Sequence, residues 1–305
     1  MSPLAVVRRS ALRCYFAFAF TLSGVALVVV GLPSLHDTIH KPTASLVAFP
    51  IMVVGVGAIG IVLTAATEGA SGIRRLLSRL TRPVKRRWWL VLSLPPIAIL
   101  AVLGGLQAGV SANFAPGFLI FGAAAGAFAG FFEELGWSGF AYPRMRDRFG
   151  ALGGALLLGV LWGLWHFPVV DSLGAASPHG RYWPEFFAAF VAMIAALRVL
   201  IAWVYTNAGS LRMAQLLHAS STGFLVILGA PKATPAQEAL WYSAYAAVLW
   251  AVVIVVVALR GSTLRGRRRT GGRLPTASMS ATTPRPLAEQ QSRTASATVL
   301  PPGSS

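Results

Sequence analysis

The chain has 305 residues, of which 55% are apolar and only 11% charged, and it carries a formal net charge of +17. Soluble domains carry roughly 25% charged residues, so this composition, with a mean hydropathy of +0.66, excludes an ordinary soluble fold, and the aliphatic content excludes intrinsic disorder for most of the chain. One cysteine, Cys14, excludes a disulfide scaffold, and the basic residues fall between long apolar runs rather than on one surface, which speaks for membrane orientation and against a nucleic-acid partner.

A bilayer core needs ~20 apolar residues per helix. In chain order such runs occupy Cys14–Leu35, Ser45–Thr67, Trp88–Gly109, Pro116–Ala141, Leu152–Val170, Pro184–Thr206, Gly209–Gly229 and Ala236–Leu259. The expected fold is therefore all-α, a polytopic membrane bundle of about eight transmembrane helices within residues 1–260. The first run follows a basic start but is too long for a signal peptide and lacks a small-residue cleavage site, so it reads as an uncleaved helix. Gly and polar residues interrupt the fourth and seventh runs. Gly122, Gly126 and Gly130, at spacing four, make one small-residue face that reads as helix packing. Residues 261–305 turn to Arg, Ser, Thr, Pro and Ala without periodicity and read as a disordered basic tail.

Alternate loops differ sharply in charge. The N-terminus, the second, fourth and sixth loops and the C-terminal segment hold 22 Lys and Arg; the other loops hold only Lys41, Arg181 and Lys232, and Arg198 alone lies inside a span. By the positive-inside rule both termini are cytoplasmic, and the protein is expected to be integral to the membrane. No internal repeat is visible.

Polar residues inside the spans carry the chemistry. Of nine acidic residues, two are adjacent in the fourth run, Glu133 and Glu134. Ionisable groups there are expensive and normally face a partner or a wet cavity. Neighbours on a helix differ by ~100°, so one carboxylate can serve chemistry while the other is held by structure. His166 ends the fifth run and His218 lies in the seventh, followed by Ser220, Ser221 and Thr222. His36, His40 and His179 fall in outer loops and carry little weight. A carboxylate with an imidazole can activate water, and a second imidazole can donate to a developing oxyanion. No cofactor is established; Glu133, His166 and His218 could instead hold a divalent metal such as zinc, with an open position for water. Counted at 1.5 Å per residue, Glu133 and His218 come ~12–14 Å in from the basic end but His166 ~20 Å. A later start of the fifth helix, a tilt or a shift would remove that mismatch.

The strings EELGWSGFAYPRMRDRFG, GVLWGLWHFPVV and WVYTNAGSLRMAQLLHASSTGF together resemble the motifs of the CPBP intramembrane protease family. That group contains the type II CAAX prenyl endopeptidase and bacterial relatives, some linked to bacteriocin self-immunity. The resemblance covers about residues 116–229. It implies that Glu133 and His166 activate the water, that Glu134 is the paired glutamate, and that His218 and Thr222 form the oxyanion hole. The implied activity is an endopeptidase acting on a membrane-associated peptide or protein within the bilayer. A non-catalytic binding or bacteriocin-immunity protein of the same fold is the alternative. A proton-coupled transporter relaying through Glu133 and His166 is a third reading, which the missing repeat symmetry disfavours.

Two positions depart from the family pattern. Ser138 stands where the first motif usually has Arg, and Thr222 where the third often has Asn. Ser138 brings no charge to Glu134, but Arg198, the one other cation at membrane depth, could supply it if the helices place it near. On this reading Ser138→Arg is expected to be tolerated, and Arg198→Ala to lower stability or activity.

Overall fold

In the computed structural model the described residues are 10–28, 41–171 and 174–265, with side chains described from residue 47 in the second stretch. Arg8, Arg9, His36, His40 and the tail from residue 266 lie outside them. Among the described residues there are helices and turns but no strand, so the protein is the all-α membrane bundle expected.

The helices are α1 (Ala11–Ala26), α2 (Lys41–Thr81), α3 (Leu94–Gly109), α4 (Phe121–Gly136), α5 (Tyr142–Phe149), α6 (Ala151–Trp165), α7 (Phe167–Val170), α8 (Trp183–Ala208), α9 (Leu211–Ile227) and α10 (Pro235–Arg260). Four stretches are long and apolar enough to cross a membrane: Val47–Thr81, Arg86–Gly109, Gly180–Ala208 and Pro235–Arg260. Local signals set several ends. Pro235 and a reciprocal Thr234–Gln237 capping box start α10, and Gly209, at φ 65°, ends α8 in the left-handed conformation that glycine adopts without penalty. Pro168 sits in the first turn of α7, where its missing N–H costs nothing, so the chain breaks at His166 between α6 and α7.

The end of the second helix differs from the sequence reading. The second helix does not stop at Thr67: it is interrupted at Gly69 (φ 64°, ψ −158°) and resumes to Thr81. Arg74, Arg75 and Arg79 are therefore helical rather than loop residues. Glu68 explains the continuation, because Arg75 and Arg144 both pair with it at 2.5 Å. The helix of the fifth apolar run, α6, starts at Ala151, so a late start is not what reconciles the depth of His166. It is Trp162, one turn earlier, that reaches Glu133.

The two polar, glycine-bearing helices α4 and α9 form the most extensive pair in the bundle. A Cβ on Gly122 would meet Gly223 O at 2.6 Å, and one on Gly130 would meet Gln215 O at 2.5 Å. The glycine face thus serves backbone-to-backbone packing, and Gln215 Nε2 ties the pair by donating to Phe131 O at 2.9 Å. On the other side α8 packs against α6 and α10. Its apolar window is 72% buried, against 28–44% for the other three long helices, so Arg198 at its middle faces the interior and not lipid. Phe18, Leu90, Ile97, Phe118, Ile120 and Leu259 point outward, as lipid-facing side chains must.

Candidate active site

Glu133 and Glu134 stand in the last turn of α4, where the helix passes into a π-helical turn at Trp137–Ala141 before α5. Such single π turns interrupt α-helices frequently at functional sites. Each glutamate receives a donor from four residues on. Trp137 Nε1 donates to Glu133 Oε2 at 3.0 Å, and the Ser138 hydroxyl donates to Glu134 Oε2.

Beyond that symmetry their surroundings diverge. Glu134 is fully buried and enclosed by charge. Arg198 Nη1 donates to its Oε1 and Oε2 at 2.9 and 3.1 Å, and Arg198 Nη2 donates to Oε2 at 3.1 Å and to Ser138 Oγ at 2.9 Å. His218 Nδ1 donates to Oε1 at 3.1 Å. The cation missing from position 138 therefore arrives from α8, and the serine is the small residue that leaves room for it. Charge-assisted bonds of this kind are the strong ones, and a buried pair survives only when it is so satisfied.

Glu133 receives neutral donors. Trp162 Nε1 donates to the same Oε2 at 2.7 Å, so two indoles hold one oxygen while Oε1 takes no hydrogen bond among the described residues. Tyr15 packs edge-on against the Trp137 ring, with ring centroids 5.5 Å apart, and fixes it from α1. His166 is 5% exposed, and its Nδ1 donates to the Trp162 carbonyl at 2.8 Å. A carbonyl only accepts, so the neutral ring carries its proton on Nδ1 and keeps the Nε2 lone pair. His218 lies edge-on against Trp162 at 4.8 Å, and the Arg198 guanidinium lies 5.5 Å from the same indole. Among the described residues Nε2 of neither histidine has a hydrogen-bond partner.

The structure thus joins Glu134, Ser138, Arg198 and His218 directly, and brings Glu133, His166 and His218 to the faces and edge of Trp162. Thr222, one turn beyond His218 on α9, makes no hydrogen bond among the described residues. Ser220 donates to Leu92 O at 2.7 Å, and Ser221 shares a 3.3 Å bond with Tyr245, so both hydroxyls tie α9 to other helices. Among the described residues no three His, Cys, Asp or Glu are arranged to hold a metal ion. Glu133 Oε2, His166 Nδ1 and His218 Nδ1 are bonded to two indoles, a backbone carbonyl and Glu134, which leaves Glu133 Oε1 and the two Nε2 atoms as the donors of this set without a partner among the described residues. Trp137 and Trp162 are the members of the site that hydropathy and charge do not mark.

A second buried polar cluster lies where the sequence suggested an unremarkable loop. His179 is 1% exposed, stacks on Phe186 at 3.7 Å, and places Nδ1 2.9 Å from Asp171 and Nε2 3.2 Å from Glu238. Glu238 also accepts from the Ala175 and Ala176 N–H groups at 3.0 and 2.7 Å, so the cluster staples the α7–α8 loop to the start of α10. Burial works against a charged ring here, but the bonds to Asp171 and Glu238 outweigh it and hold the His179 pKa above the ordinary histidine value.

Fold and site define the class: an integral membrane helix bundle with a buried glutamate–histidine centre at the junction of α4, α6, α8 and α9. Residues 115–224, which include every member of that centre except Tyr15, match the family described as type II CAAX prenyl endopeptidase Rce1-like. A 39-residue stretch is also 44% identical to CAAX prenyl protease 2 of Methanococcus maripaludis. That stretch amounts to 13% of this chain and 14% of the relative's length. The family indicated by the three motifs is the one that the chain's central segment matches.

Proposed function

We propose that this protein is an intramembrane endopeptidase that hydrolyses a peptide bond of a membrane-associated substrate, with Glu133 as general base. One observation carries the reading: two adjacent buried glutamates have opposite surroundings, and the one without a cation keeps an oxygen free while its partner Trp162 packs against both imidazoles. A water bridging Glu133 Oε1 and His166 Nε2 would lose a proton to Glu133 as its oxygen adds to the scissile carbonyl carbon. Negative charge then builds on the carbonyl oxygen. His218, turned by its Nδ1 bond to Glu134, would donate from Nε2 in its doubly protonated form, and the Thr222 hydroxyl would donate beside it. Glu133 returns the proton to the leaving nitrogen as the C–N bond breaks. Glu134, Ser138 and Arg198 form a neutral block that keeps His218 in place. We read both termini as cytoplasmic, a reading that the distribution of basic residues supports.

The name of the archaeal relative makes a prenylated CAAX peptide the first substrate to test. The full chain reconstituted in vesicles should release the C-terminal fragment of such a peptide, or of a member of a membrane-bound peptide library, as read by mass spectrometry. Glu133→Gln should lower the rate by about 10²–10⁴-fold while remaining folded in the membrane. Cleavage by Glu133→Gln at the parent rate would overturn the assignment.

A further inference from the structure

At the end of the bundle that carries the basic residues, α2 and α5 enclose a cavity of about 260 Å³. Four guanidiniums line it, those of Arg75, Arg79, Arg144 and Arg146, against two carboxylates, Glu68 and Asp147. The wall therefore carries a net charge of +2. Nothing in the hydrolytic mechanism uses this hollow: Gly139 lines it, whereas the neighbouring Ser138 turns the other way, toward Glu134.

The arginines fall into two kinds. Arg144 is spent on structure, with Nη1 donating to Phe140 O at 3.0 Å and Nη2 to Glu68 at 2.5 Å. Arg75 is likewise held, by Glu68 and Ser71. Arg79 and Arg146 keep donors in reserve. Arg79 uses only Nη1, on the Tyr205 hydroxyl at 3.0 Å. Arg146 uses Nε and Nη2, both on Asp147 Oδ1, at 3.3 and 3.1 Å. Arg79 Nε and Nη2 and Arg146 Nη1 have no hydrogen bond among the described residues.

From this geometry we infer that the cavity is a binding site for a phosphate group, carried by the headgroup of an anionic lipid or free. A carboxylate has two oxygens and is satisfied by a single guanidinium fork. A phosphate monoester presents three terminal oxygens and a charge of about −1.5 to −2, which matches two half-free guanidiniums in a hollow of net charge +2. The surroundings favour the lipid source. Phe149, three residues on from Arg146 along α5, is 45% exposed, so apolar surface for an acyl chain adjoins the charged hollow. Basic pockets between membrane helices at the cytoplasmic side are where anionic headgroups are recognised. The inference does not depend on the hydrolytic reading.

The test uses the full chain in a neutral detergent and reads the unfolding midpoint during titration with dihexanoyl phosphatidic acid, dihexanoyl phosphatidylcholine and inorganic phosphate, since a ligand of the folded state raises the midpoint by mass action. Phosphatidic acid should bind about tenfold more tightly than phosphatidylcholine, and Arg146→Gln and Arg79→Gln should each weaken it about tenfold. Asp147→Asn, which frees Arg146, should tighten it. Arg74→Gln, an exposed cation on α2 that does not line the cavity, should leave it unchanged. A shift with phosphatidic acid alone identifies the lipid source, and equal shifts with phosphatidic acid and inorganic phosphate identify the free anion. No shift with either, or the same loss for Arg74→Gln as for Arg146→Gln, overturns the site.

Discussion

Glu133 and Glu134 are neighbours in sequence and equally buried, yet one is built into the scaffold and the other is not. Around Glu134 an arginine, a histidine and a hydroxyl consume both oxygens, and the arginine is itself fully buried. Around Glu133 two neutral indoles hold one oxygen. The difference teaches how a membrane interior can carry two acids side by side. One has its charge cancelled and becomes a rigid post, and that post orients the histidine beside which the other can react. The separation is geometric, because successive residues on α4 point ~100° apart, toward α8 and α9 on one side and toward α6 on the other.

The comparison breaks most visibly if the cation is removed. Arg198→Ala leaves Glu134 buried and uncompensated, and truncating one partner of a buried pair costs about 3–5 kcal/mol. Denaturant or thermal unfolding in detergent should show that loss, and a neutral Arg198→Ala would mean that the pair does not organise the site. A smaller effect is expected from moving the cation. The sequence suggested that Ser138→Arg would be tolerated, but Arg198 already occupies that space and Ser138 is fully buried. Alone, Ser138→Arg should destabilise by about 1–3 kcal/mol through overpacking and like charge. Combined with Arg198→Ala it should recover part of the loss, with a favourable coupling of about 0.5–3 kcal/mol in a double-mutant cycle. Strict additivity would show that the two positions do not share one carboxylate.

The smallest effect concerns the other end of the bundle, where His179 joins two carboxylates. Its pKa is raised in the folded protein, so its contribution is fully present below the ordinary value of about 6.5 and is lost as pH rises through the elevated one. The midpoint difference between the parent and His179→Gln should therefore be largest in mild acid and shrink with rising pH. A difference that grows with pH would contradict the assigned protonation.

What was legible in the sequence follows from contrast. Two glutamates, two histidines and one arginine inside apolar runs stand out because hydrocarbon makes each of them costly, and the same contrast located the eight apolar stretches. Hydropathy and charge gave no hint of Trp137 or Trp162, since a tryptophan in a membrane helix is unremarkable until its N–H is seen to have a partner. The extension of α2 past Gly69 was hidden because a run of arginines reads as a loop when the acid that seats them, Glu68, is counted as its edge. His179 was misjudged for a related reason. Its partner Glu238 lies 59 residues away, and no local pattern links the two.

The central claim is that the two glutamates divide structure and chemistry between them, and it is tested most directly by measuring unfolding and peptide cleavage side by side for Glu133→Gln and Glu134→Gln. The account predicts that Glu133→Gln unfolds like the parent and cleaves about 10²–10⁴-fold more slowly, whereas Glu134→Gln is strongly destabilised because Arg198 is left without its counter-charge. A stable, inactive Glu134→Gln beside an active Glu133→Gln would contradict it.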